Sequence, residues 1–142
     1  MRSTLLVILQ SIAMLGLAWT GALLPPNLPL AALQLAAIAL MVWTFALLGV
    51  GRFNVRPEVH ARARLVVRGP YRWVRHPTYL ATLALMLAWL LGRFTGAGLA
   101  CWLALLAVVR AKVPIEERAL AARFPEYAEY CRRTARLFPG VW

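Results

Sequence analysis

The densest polar cluster in this chain lies at residues 68–79 and has the sequence RGPYRWVRHPTY. One interpretation centres on His76, because an imidazole at the mouth of a helix can donate to or accept from a bound ligand. The rigid Gly-Pro and His-Pro steps would fix the geometry of such a site. The other interpretation is a membrane boundary, in which arginines reach lipid phosphates, aromatic rings lie in the interfacial belt and Pro77 begins a helix. The residues alone leave both open.

A second group of charges follows at residues 110–117, where Arg110 and Lys112 precede the adjacent acids Glu116 and Glu117. A carboxylate here could accept hydrogen bonds from ribose hydroxyls or pair with an ammonium group. Alternatively, both acids lie in the first turn of a helix beginning at Pro114, where the helix dipole favours them. The two bases are either cytoplasmic anchors of a membrane helix or a clamp for an anionic group.

Other chemistries are excluded by motif. The sequence has no GxGxxG after a strand, no P-loop, no HExxH and no GxSxG. Cys101 and Cys131 lie thirty residues apart without metal-ligand spacing, so we expect neither a disulfide nor a metal site. His60 lies in a polar linker and is expected to be solvated.

The amino-acid composition indicates that the chain lies in a membrane. Hydrophobic residues make up 62% and charged residues 15% of its 142 residues, compared with about 45–50% and about 25% in soluble domains. The chain has sixteen Lys and Arg but only five acids, a balance that suits either nucleic acid or anionic lipids. Residues 3–51 carry no charge, and no soluble nucleic-acid-binding module tolerates such a run. We therefore expect a single membrane domain over residues 1–142, with membrane lipids and not nucleic acid as partners.

The hydrophobic pattern predicts an all-α membrane protein with about four transmembrane helices. Residues 4–24 and 30–50 are each 21 residues without a charge, long enough to cross about 30 Å of hydrocarbon, and residues 25–29 form a proline-rich loop. This N-terminal helix pair occupies residues 1–51. Residues 77–109, interrupted at Gly92-Arg93, predict a hairpin of two shorter helices, or alternatively a thin or partly re-entrant one.

The last thirty residues predict a cytoplasmic helical segment. It would begin at Pro114 and break at Phe124-Pro125. If the break is mild, one face carries Leu120, Phe124, Tyr127 and Cys131.

The distribution of basic residues predicts orientation. With four spans, Arg2, seven arginines of 52–75 and seven basic residues of 110–136 fall on one side, and only Arg93 falls on the other. By the positive-inside rule, both termini of this multi-pass inner-membrane protein are expected in the cytoplasm.

Two segments together carry a resemblance to a known family. The sequence GPYRWVRHPTY at 69–79 is paired with EERAL at 116–120, followed by Phe124, Tyr127, Tyr130 and the ending RLFPG at 136–140. The chain resembles the membrane-embedded isoprenylcysteine carboxyl methyltransferase and phospholipid methyltransferase family over residues 52–142. Members bind S-adenosylmethionine on the cytoplasmic side without a Rossmann domain.

The resemblance implies site residues. Catalytic roles are implied for Lys112 and Glu116, and contact with the substrate for Lys112 and Arg110. The residues implied to bind the cofactor are Gly69, Arg75, His76, Pro77, Thr78, Tyr79, Glu116 and Glu117. The chain departs from the family pattern at Ala81, where many members have glycine, and at Ala135, where many have proline.

The implied reaction moves a methyl group from S-adenosylmethionine to a lipophilic acceptor, with an isoprenylcysteine-type carboxylate favoured. Such an in-line displacement requires alignment and exclusion of water more than acid–base catalysis. The alternatives are a phospholipid N- or thiol S-methyltransferase, a non-catalytic membrane adaptor on the same scaffold, and a reductase related to the sterol reductases. The oligomeric state stays open.

Overall fold

A computed structural model of the chain describes residues 2–49 and 65–138, and within these ranges the regular elements are helical. The predictions for residues 52–64, including that for His60, and for the ending after residue 138 lie outside the described residues. The helices are α1 (Arg2–Thr20), α2 (Leu28–Leu48), a short 3-10 helix (Gly69–Arg72), α3 (Pro77–Gly92), α4 (Gly96–Arg123) and α5 (Tyr127–Arg133).

The connection between α1 and α2 differs from the predicted loop. Helix α1 ends at Thr20, and α2 already begins at Leu28, so Pro29 lies in its first turn. Asn27 explains the early start, because its side-chain oxygen caps α2 by accepting from the Leu30 N–H at 3.1 Å. Proline is tolerated beside the cap because the first-turn N–H groups have no helical partner.

The four long helices pack as a bundle in which α1 lies on α4 and α2 lies on α3. Buried leucines and valines from three helices form the core, among them Leu17, Leu83, Leu105 and Val109. At the turn after α1, the Ala22 N–H donates to the Trp89 carbonyl of α3 at 2.9 Å. The turn after α1 therefore lies beside the end of α3.

Two of these helices, α2 and α4, are long and apolar enough to cross a membrane. Helix α3 and residues Thr4–Thr20 of α1 are apolar but shorter. The predicted pair of helices is present, because α3 begins at Pro77, ends at Gly92 and is followed after three residues by α4. Only α3 is short, since α4 continues beyond residue 109 to Arg123.

Helix α4 corrects the prediction that a new helix starts at Pro114. It runs unbroken for 28 residues, so Pro114 lies in its interior and the two acids are not in a first turn. The reason is packing: Leu105, Val109, Lys112 and Val113 continue one buried face up to the proline. Burial of that face offsets the hydrogen bond that an interior proline removes.

The predicted break at Phe124-Pro125 is present, and it is not mild. The backbone of Phe124 is extended (φ −117°, ψ 107°), and α5 begins only at Tyr127. The predicted continuous face from Leu120 to Cys131 is therefore divided between two helices.

The tail after α5 returns to the start of α3. The carbonyls of Ala135 and Arg136 accept from the N–H groups of Arg75 and His76 at 2.8 and 3.1 Å. The Ala135 N–H donates to the Trp73 carbonyl at 3.1 Å, a bond that a proline at this position could not form. This short pairing fixes the chain on either side of His76.

Candidate active site

The central feature is an imidazole between two carboxylates. His76 is 6% exposed and occupies the N-cap position of α3. Its Nδ1 lies 3.4 Å from Glu116 Oε2, and its Nε2 lies 3.6 Å from Glu117 Oε1. Glu116 and Glu117 are adjacent on α4, so their side chains point about 100° apart. The His76 ring lies between them and presents one nitrogen to each carboxylate.

The surroundings of His76 change its protonation. Burial alone lowers the pKa of an imidazole, but the adjacent carboxylates of Glu116 and Glu117 stabilise the protonated form. The carboxylates outweigh burial, so the pKa of His76 is raised above its ordinary value.

Tyr79 holds the first acid from the α3 side. It lies one turn after His76, and the two rings stack with centroids 5.8 Å apart. Its hydroxyl donates a hydrogen bond to Glu116 Oε1. Glu116 thus contacts two side chains of the 68–79 segment, while its own side chain stays 20% exposed.

The second acid is held by two arginines. Arg75 Nε donates to Glu117 Oε1 at 2.7 Å, and Arg136 Nε donates to Glu117 Oε2 at 3.0 Å. Arg75 also donates to the carbonyls of Cys131, at 3.1 Å, and Thr134. These contacts join α4, the start of α3 and the tail.

Lys112 lies one turn before Glu116 and is 1% exposed. Its Nζ lies 5.2 Å from the centre of the Tyr79 ring, a cation–π distance, and donates to Gln10 Oε1 of α1 at 2.8 Å. Sequence reasoning missed Gln10, although a polar amide within an uncharged span was a usable signal.

The remaining implied residues lie around this cluster. Gly69 has φ +61° and packs against α2, where an added Cβ would lie 2.5 Å from Leu47 Cδ1. Pro77 is buried in the first turn of α3, and the Thr78 carbonyl accepts from Thr82 at 2.9 Å. Arg110 lies on the exposed surface of α4. The structure therefore brings together His76, Tyr79, Lys112, Glu116 and Glu117, with Arg75 behind them.

Two buried polar atoms at this end of the bundle make no hydrogen bond: His76 Nε2, which faces Glu117 Oε1 at 3.6 Å, and the Tyr127 hydroxyl. Buried polar groups in proteins are normally paired. A hydroxyl or carboxylate oxygen of a ligand could accept from these two groups, and a hydroxyl or ammonium group of the same ligand could donate to the exposed part of Glu116.

Comparison with known proteins identifies similar sequences. The model of the isoprenylcysteine carboxyl methyltransferase (ICMT) family matches residues 30–122. The cobalt-zinc-cadmium resistance protein CzcN of Cupriavidus metallidurans is 44% identical over 84 residues, which cover 54% of this chain and 36% of that protein. The chain thus spans about a third of the length of this relative. Among the described residues, no three His, Cys, Asp or Glu side chains form a group that could hold a metal ion.

Proposed function

The chain belongs to the isoprenylcysteine carboxyl methyltransferase family, and from this premise we propose that it transfers a methyl group from S-adenosylmethionine to a lipophilic acceptor within the membrane. An isoprenylcysteine-type carboxylate is the acceptor that we favour. The observation that carries the proposal is the cluster of His76, Tyr79 and Glu116, in which a carboxylate held by two rings still reaches solvent.

The residues at this site fit the cofactor. His76 Nε2 and the Tyr127 hydroxyl are buried and make no hydrogen bond, and Glu116 presents a partly exposed carboxylate. Glu116 would accept from the ribose hydroxyls or the ammonium group, because an ionised carboxylate is an acceptor only. S-adenosylmethionine supplies the methyl group, since its sulfonium sulfur keeps the electron pair of the methyl–sulfur bond when the acceptor's lone pair forms the new bond.

The length of α4 supports placement of the site at a membrane surface. Glu116 follows Gly96 by 20 residues, which at about 1.5 Å per residue corresponds to about 30 Å, the thickness of the hydrocarbon layer. The carboxylates would lie where the cofactor arrives from water, and Lys112 would lie one turn deeper. The basic side chains of Arg68, Arg72 and Arg75 precede α3 at the same end.

We propose four membrane crossings with both termini in the cytoplasm, as the distribution of basic residues predicts. A reporter fused after Trp142 should be active in the cytoplasm and inactive on the outer side. Activity of that fusion only on the outer side would contradict the topology.

The acceptor is tested most directly with lipid extracts. Membranes containing the protein are incubated with methyl-labelled S-adenosylmethionine and a lipid extract, and the labelled product is identified by mass. A methyl ester supports a carboxylate acceptor, whereas a methylated phospholipid amine or a thioether supports the N- or S-methyltransferase alternative. A Glu116→Gln variant should yield less product from every acceptor.

A non-catalytic adaptor is the second candidate, and the name of the relative CzcN favours it. CzcN is named for cobalt, zinc and cadmium resistance and not for methyl transfer. Calorimetry of the protein in detergent separates the two functions, because an enzyme must bind S-adenosylmethionine. Absence of binding by the wild-type protein would contradict the methyltransferase proposal and support the adaptor.

A further inference from the structure

Gln10 is a buried-face polar residue of α1. It precedes Ala13 and Leu17 by three and seven positions, so the three side chains share one helical face, and Ala13 and Leu17 are 5% and 0% exposed. A primary amide inside an apolar helix is costly in lipid unless it has a partner. Gln10 therefore has to be explained by what it contacts.

Its contacts lead directly to the site. Gln10 Oε1 accepts from Lys112 Nζ at 2.8 Å, whereas Gln10 Nε2 lies 3.9 Å from Met14 Sδ, a weak acceptor. The ammonium group also lies over the ring of Tyr79, whose hydroxyl donates to Glu116. Gln10 is thus connected to the carboxylate of Glu116 through the side chains of Lys112 and Tyr79.

We propose that Gln10 is a positioning residue that holds the Lys112 ammonium toward the methyl acceptor and so makes the site prefer an anionic acceptor over an amine. This inference rests on the proposed function. A neutral amide is suited to the role, because it accepts from an ammonium group without cancelling its charge. A carboxylate in its place would form an ion pair and remove the positive charge that an anionic acceptor meets.

The position of Glu116 explains why the ammonium needs such a partner. Lys112 and Glu116 are four residues apart on α4, the spacing at which opposite charges on a helix attract each other. The amide of Gln10, from α1, draws the ammonium toward the bundle. Without that amide, we expect the ammonium to turn toward Glu116, which would weaken its contact with the acceptor.

The experiment compares Gln10→Leu, Gln10→Glu and Gln34→Leu in the full-length protein. Gln34 is the matched control, because it is a glutamine of the apolar helix α2 whose Nε2 donates to the Leu23 carbonyl at 3.1 Å, away from the site. The acceptors are two farnesyl thioethers, S-farnesyl-3-mercaptopropionate and S-farnesyl cysteamine, which carry the same hydrocarbon but end in a carboxylate and an amine.

Gln10→Leu should raise the KM for the carboxylate acceptor about tenfold, as expected when a hydrogen bond to a charged group is lost. Its kcat should stay close to wild type, and its KM for S-adenosylmethionine should rise by less than its KM for the carboxylate acceptor. Gln10→Glu should lower the carboxylate-to-amine preference further, and Gln34→Leu should behave as wild type. Equal kinetics of Gln10→Leu and Gln34→Leu, or a loss confined to kcat, would overturn the proposal.

A second measurement does not depend on turnover. Lys112 is the chain's one lysine, so protein labelled with ¹⁵N-lysine gives a single side-chain NMR signal. That signal should move in Gln10→Leu and stay in place in Gln34→Leu; an unmoved signal in both would overturn the contact. Wild-type protein that methylates neither acceptor would instead refute the proposed function. An active wild type whose Gln10 variants have the same acceptor KM values as wild type would refute this inference alone.

Discussion

Arg75 Nε donates to Glu117 Oε1 at 2.7 Å and thereby ties the residue before His76 to a position 42 residues later on α4. Both side chains are largely buried, at 9% and 12% exposure. The same guanidinium donates to the Cys131 and Thr134 carbonyls. Arg75 therefore acts as the junction of three chain segments, a role for which five donors in a fixed fork are suited.

Arg75→Ala should destabilise the protein strongly. The change removes the arginine partner of Glu117 and the donor to the carbonyls of Cys131 and Thr134. Removing one partner of a buried ion pair costs about 3–5 kcal/mol. Chemical unfolding in detergent micelles measures the effect. Arg72→Ala is the matched control, because Arg72 is exposed and contacts the Trp73 ring at 5.7 Å; equal stability of the two variants would contradict the junction.

Glu116→Gln should weaken cofactor binding more than it slows the chemical step. The amide keeps the shape of the carboxylate but removes its charge and turns part of the group into a donor. We expect the KM for S-adenosylmethionine to rise about tenfold, in line with the loss of a hydrogen bond to a charged group. An unchanged cofactor affinity, together with a lost kcat and a pH profile without its acidic limb, would instead identify Glu116 as a general base.

His76 should make stability depend on pH. Because its pKa is raised by Glu116 and Glu117 in the folded state, its stabilising contribution is fully present below the unfolded pKa of about 6.5. That contribution is lost as the pH rises through the higher folded pKa. The stability difference between wild type and His76→Asn should therefore shrink above pH 6.5, and a difference independent of pH would contradict it.

The NMR control for this prediction uses the histidine content of the chain. His76 and His60 are its two histidines, so a His60→Gln background gives one imidazole signal to titrate. A midpoint above the ordinary value of about 6.5 is expected.

Local signals allowed the ends of α3 to be predicted from sequence, but not the course of α4. Pro77 and the Gly92-Arg93 pair mark the ends of α3 by backbone chemistry that acts within a few residues. Pro114 gives the same local signal, yet α4 passes through it because its buried face packs on other helices. Tertiary packing overrides a local preference there, and a single sequence does not contain that information in readable form.

The candidate site could also be predicted from the sequence only in part. His76, Glu116 and Glu117 could be proposed from their types and spacing, and the structure brings them together. Arg75 donates to the Thr134 carbonyl, 59 positions later in the chain. Lys112 donates to Gln10, 102 positions earlier. Such contacts depend on how helices meet, so neither followed from the motifs.

Gly69→Ala distinguishes a structural role of Gly69 from cofactor binding. Gly69 has φ +61°, where a side chain is strained, and an added Cβ would lie 2.5 Å from Leu47 Cδ1 and 3.3 Å from Trp43 Nε1. Alanine at a positive φ destabilises a protein by more than about 1 kcal/mol, and the contact with α2 adds to that cost. We expect a lower unfolding free energy with nearly unchanged affinity for S-adenosylmethionine at temperatures where the variant is folded. Gly49→Ala is the control, because Gly49 has φ +81° but open space around its Cβ position. The Gly69 variant should be the less stable of the two, whereas a stable Gly69→Ala that has lost cofactor affinity would return Gly69 to the cofactor pocket.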